Sequence, residues 1–180
     1  ADDPFRLTSA GSTVSNGVYV GPYQGVLGSG PGAPSIDVVC VDYFNNAQLN
    51  RTYQVRTTNL GSGWDPNAVR FGNSGGLLAY RQAAWLSWQF ASTPPSSQAW
   101  GNIHRSIWNI FTPGAPDPSL SAWQSLQTAW NEWYSGAGQS YDWNSVVVLT
   151  DASVAGNIAF ADGHAAGGDD AVGPAGGLRE

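Results

Sequence analysis

This chain of 180 residues has no lysine, and its seven arginines face thirteen acidic residues for a net charge of −6. Charged residues make up only 11% of it, less than half the usual quarter. Without a basic patch, nucleic acid and anionic membrane surfaces are excluded as partners. Without lysine, the Lys–Asn isopeptide bonds of some extracellular fibres cannot form. Cys40 is the only cysteine, so an intrachain disulfide and a cysteine-based zinc site are excluded too. No apolar run approaches the ~18 residues of a membrane span. What remains is a protein that hides its surface in an assembly, or one that lives outside the cell. The chain starts at Ala1 with no methionine or hydrophobic leader, as a mature secreted protein would. Secretion is therefore the expectation.

The length suits one well-buried core, and no break in composition argues for two. Residues 1–16 form an extended N-terminal segment in which Phe5 and Leu7 alternate with Arg6 and Thr8. That pattern is enough for one short strand, and pairing with a neighbouring subunit is the expectation for it. Residues 17–162 are read as a single globular domain. Residues 17–27 give a strand, a Gly-Pro bend and a second short strand. The run from Ile36 to Phe44 is β-branched and nearly continuous, as in a strand covered on both faces. Residues 51–58 resume an alternating pattern, with a bulge expected near Tyr53 and Val55.

Three helices follow. Residues 76–90 form the first, with Asn73 or Ser74 near its cap. The second runs from about Ser97 to Phe111, capped by Ser96 or Ser97 and stopped by Thr112-Pro113-Gly114. On it, His104 lies one turn from Trp100 and one turn from Trp108, all on one face. The third is expected to start with Asp117 as its cap and Pro118 at the first helical position. Leu120, Trp123, Leu126, Trp130 and Trp133 then form a core-facing stripe, and Gly136 ends it. Residues 143–150 and 157–160 return to strand character, and residues 163–180 read as a Gly/Ala-rich flexible tail. The fold class is α+β: an antiparallel β-sheet or β-sandwich core with an inserted, tryptophan-rich layer of about three helices.

Four of these pieces also resemble a family. They are Val39-Cys40-Val41-Asp42, Tyr80-Arg81-Gln82-Ala83-Ala84-Trp85-Leu86, Ile103-His104-Arg105-Ser106-Ile107-Trp108 and Val146-Val147-Val148-Leu149-Thr150. In order and spacing they resemble secreted bacterial surface proteins of the PEP-CTERM type and the related thioester (TQXA) adhesin domains. The likeness covers roughly residues 17–160. It implies a strand cysteine joined to the glutamine of a Gln-x-Ala-Ile-Trp helix motif, forming an electrophile that captures a surface nucleophile. Cys40 matches that cysteine and Ile107-Trp108 the Ile-Trp pair. This places His104 in the glutamine's seat and Ser106 in the alanine's. An imidazole has no carboxamide carbon, so on this alignment the bond is absent. The Pro-Glu-Pro segment, hydrophobic span and basic end that the resemblance implies are not in this sequence.

Two alternative chemistries use the same residues. Gln82, in Gln82-Ala83-Ala84-Trp85, is a second acyl donor for a Cys40 thioester, although its tryptophan falls one residue early. A Cys–His hydrolase would need Cys40, a base in His104 or His164, and an orienting carboxylate such as Asp42. An apolar strand is a poor setting for a thiolate, and a packed histidine that donates to a carbonyl is the simpler role for His104. The stretch Asp162–Asp170 lacks the alternating oxygen ligands of a calcium loop, and no metal or cofactor is implied. The expectation is a secreted, non-enzymatic structural protein that assembles with copies of itself through its terminal segments, Phe5 and Leu7 included. A covalent adhesin through Cys40 and Gln82 is the alternative, and the hydrolase the second.

Overall fold

Alternation of side chains decides the strands here. In β1, Asp3–Ser9, Phe5 and Leu7 turn inward while Arg6 and Thr8 face solvent. In β6, Thr52–Asn59, Tyr53 and Val55 turn inward between exposed Thr52, Gln54 and Arg56. This is plain alternation, so the bulge expected there is absent. An irregularity lies instead in the β1–β4 pairing, between Leu7 and Ser9. The computed structural model describes residues 2–45, 47–72, 76–153 and 170–174, the last by their backbone alone.

The remaining strands are β2 Val14–Ser15, β3 Val18–Tyr19, β4 Tyr23–Leu27, β5 Ser35–Cys40, β7 Val146–Asp151 and β8 Asp170–Pro174. β2 and β3 form a small hairpin turned by Asn16 and Gly17, both at positive φ. The other six close into a barrel in the order β1-β4-β5-β8-β7-β6, every pair antiparallel. The α+β class holds, but the sheet curls onto itself and no second sheet stacks on it to make a sandwich. The helices α1 Gly76–Ser92, α2 Ser97–Phe111, α3 Leu120–Ser135 and the single turn α4 Ala137–Ser140 lie between β6 and β7 in the chain. Among the described residues no helix is long and apolar enough to cross a membrane.

Two cores result, one on each side of the sheet. Phe5, Leu7, Val38, Tyr53, Val55 and Leu149 fill the barrel. Val39, Val41, Val146 and Val148 face outward and pack under the helices with Tyr80, Leu86, Ile107 and Phe111. β5 and β7 are thus covered on both faces, as their near-continuous apolar sequence requires. β5 stops at Cys40, short of the Phe44 expected. Immediately beyond it, the Asp42 carboxylate accepts from the Phe44 N–H and the Asn45 amide and turns the chain away.

Ser96 caps α2 by accepting from the Ala99 N–H. The cap of α3 is Ser119 and not Asp117, so Pro118 precedes the helix. Leu120 is 70% exposed and leaves the expected core stripe, and Trp123 is half-buried. Trp130 and Trp133 do reach the core, in an aromatic cluster with Trp85, Trp88, Tyr141 and Trp143. The proposed cap at Asn73 or Ser74, the strand at 157–160 and most of the tail lie outside the described residues.

The N-terminal segment is a correction. Phe5 and Leu7 are 7% and 2% exposed, and β1 pairs with β4 on one side and β6 on the other in its own chain. The strand is built into the barrel and is not a spare extension. Its fit is specific, because the Phe5 ring lies where a side chain on Gly25 of β4 would stand, 2.3 Å from an added Cβ. Gly25→Ala should therefore cost about 1–3 kcal/mol by overpacking. Urea unfolding is the measurement, and Phe5→Leu in the same chain should recover part of the loss.

Candidate functional site

His104 is the centre of the one constellation that the sequence singled out and the structure assembles. It sits mid-way along α2 and is fully buried. Its ring stacks on Trp108, one turn later, with centroids 4.2 Å apart and planes at 25°. The edge of Phe90 from α1 and the ring of Tyr23 from β4 enclose it further.

Both ring nitrogens are bound to main chain. The Gly21 N–H, in the bend before β4, donates to Nδ1 at 3.0 Å. A backbone N–H can only donate, so Nδ1 carries the lone pair and Nε2 the proton. Nε2–H then donates to the Cys40 carbonyl at 2.9 Å, at the end of β5. Burial lowers the pKa of His104 from 6.5 to about 4, and the bond to the Cys40 carbonyl pulls weakly the other way. The result is a neutral imidazole in one tautomer, tying α2 to two points of the barrel.

Cys40 meets His104 through its carbonyl, not its thiol. The thiol is buried and free of any disulfide, and donates to the Asp42 carbonyl at 3.2 Å. Like Val38, it faces the barrel interior, where a recess of about 420 Å³ remains beside Phe5, Leu7 and Leu149. Asp42 is buried and forms an ion pair with Arg70. A buried carboxylate requires such a partner, and the sequence alone did not indicate which. Gln82 points elsewhere: from α1 its amide donates to the Gln127 carbonyl of α3 at 2.8 Å. His164 and the acidic stretch around it lie outside the described residues, apart from the backbone of Asp170. Among the described residues no three His, Cys, Asp or Glu side chains cluster as metal ligands would.

The arrangement brings Cys40 and His104 together and leaves Gln82 and Asp42 to other partners. To act as a base, His104 would have to give up a bond from Gly21 and receive a proton in a dry site. The geometry suits a fixed link between elements better than proton transfer. Sequence reasoning found His104, Trp108 and Cys40 but missed Gly21, because a main-chain donor leaves no side-chain signal. The Gly-Pro bend at residues 21–22 was its only trace. Comparisons of the chain with protein-family models, curated proteins and solved structures found no match. The resemblance to thioester domains rests on the four motifs.

A lowered folded-state pKa fixes the sign of the pH dependence. The unfolded chain takes up this proton as pH falls below 6.5, the folded chain only near 4. The stability carried by neutral His104 is therefore complete above pH 6.5 and lost between there and pH 4, about 3 kcal/mol in all. His104→Gln can keep one acceptor and one donor without titrating, so its stability should fall less over that range. His104→Leu strands the Gly21 N–H and the Cys40 carbonyl and should cost more than His104→Gln at pH 7. Urea unfolding of the three proteins at pH 7, 5.5 and 4.5 checks this. A parallel fall in wild type and His104→Gln would show that His104 does not carry the effect.

Proposed function

We propose that this protein is an extracellular, non-enzymatic structural subunit that associates with copies of itself. Its framework is that of a thioester-like domain with a fixed pair in place of the reactive one. The observation that carries this reading is the commitment of both His104 nitrogens to main chain. At the position that the resemblance assigns to an acyl donor stands a group that ties two parts of the barrel to α2. Low charge supports self-association, because few charges need to be desolvated when surfaces meet. Phe44 and Leu49, in the β5–β6 connection, are 60% and 49% exposed and supply apolar surface for a contact.

Intact mass under native purification separates the readings. The expected mass is that of the unmodified sequence, with Cys40 alkylated only after unfolding. Loss of one ammonia, regained as a methylamine adduct, would replace this reading with a covalent adhesin acting through Cys40 and Gln82. Labelling of folded Cys40 by an active-site-directed thiol probe would point to the hydrolase. Sedimentation velocity should show oligomers that grow with concentration, whereas a monomer at every concentration would remove the assembly.

A further inference from the structure

We propose that β1 is exchanged between copies of this chain, the N-terminal strand of one subunit completing the barrel of the next. This rests on the self-association argued above and names the segment and the groove that would carry it. β1 is tethered at its C-terminal end only, so it can leave the barrel without threading any other segment. Behind it, the β2–β3 hairpin is held to α2 by the Arg105 guanidinium, which donates to the Ser15 hydroxyl. That anchor confines the moving part to β1 and the four residues between it and β2, with Gly11 at positive φ as the natural pivot.

The groove β1 vacates is shaped for this strand and no arbitrary one. Its walls are the facing edges of β4 and β6, whose pairing with β1 would be lost along both sides. Its floor includes the bare backbone of Gly25, over which the Phe5 ring fits with no room for a side chain. Leu7 enters beside it, against the recess that the barrel interior leaves unfilled. A second copy supplies the same Phe5 and Leu7 at the same spacing. Exchange therefore makes no new contact and loses none within the barrel, and concentration decides the balance. Reciprocal exchange closes a dimer, and donation in one direction continues as a filament.

Arg6 and Thr52 are opposite one another on the exposed side of β1 and β6, within reach of a disulfide if both are cysteine. Full-length chains carrying Arg6→Cys alone and Thr52→Cys alone, each with Cys40→Ala, are co-expressed and oxidised mildly. The expected product is a two-chain disulfide, absent when Thr52→Cys is replaced by Ser125→Cys on the exposed side of α3. The double variant Arg6→Cys/Thr52→Cys, refolded dilute and oxidised within one chain, should lose assembly at least about tenfold by sedimentation. Oligomers that form without the two-chain disulfide, or equally well from the locked double variant, overturn the exchange and leave self-association standing. Absence of both oligomers and disulfide overturns the two together. A two-chain disulfide in dimers only keeps the exchange and removes the filament.

Discussion

A single neutral imidazole holds the helical layer to the barrel. Through Nδ1 His104 receives the bend before β4, and through Nε2 it holds the last carbonyl of β5. Both bonds are made in a site with no access to water, where a missing partner would cost more than the bond itself contributes. The stacking of Trp108 and the edge of Phe90 fix the ring plane, so the two bonds are met by one orientation. The requirement for a neutral ring follows directly. A proton on Nδ1 would face the Gly21 N–H, donor against donor.

From that link the rest of the arrangement follows in order. The end of β5 is fixed, so Asp42 falls where Arg70 meets it and the chain turns out of the sheet. Val39 and Val41 then face the helices while Val38 and Cys40 face the barrel, and the sheet carries a core on both sides. Barrel closure removes the open strand edges that an α+β sheet of this size would otherwise expose. It also gives β1 two partners, which is why Phe5 and Leu7 are interior residues despite lying at the chain terminus.

Much of this was legible in periodicity. The three helices, the termination of α3 at Gly136 and the strands at Val146–Asp151 and Thr52–Asn59 are where apolar spacing puts them. The histidine's place beside Trp108 was legible too, because four residues along a helix is a fixed distance. What did not show was anything that depends on main chain or on closure. Gly21 donates through its backbone, and Asp42 finds Arg70 across a loop. The sheet closes through pairings between strands far apart in the chain. Ser119 displaced Asp117 as the cap of α3 because two plausible caps flank Pro118, and local sequence does not rank them.

The imidazole also bears on what the scaffold is for. A carboxamide at position 104 would carry both an acceptor and a donor, so the link could be kept by the residue type that the family resemblance assigns to that seat. Histidine adds nothing to the hydrogen bonding that glutamine lacks. What it adds is a flat face for Trp108 and Phe90, and a group with no acyl carbon to lose. What it brings as a liability is acid sensitivity, through a pKa held down at about 4. That sensitivity falls below the range near neutrality, where the neutral form is already complete. A residue that trades electrophilic chemistry for packing, at a cost felt only in acid, fits a subunit selected to persist in an assembly. A domain selected to react with a surface would gain nothing from the exchange.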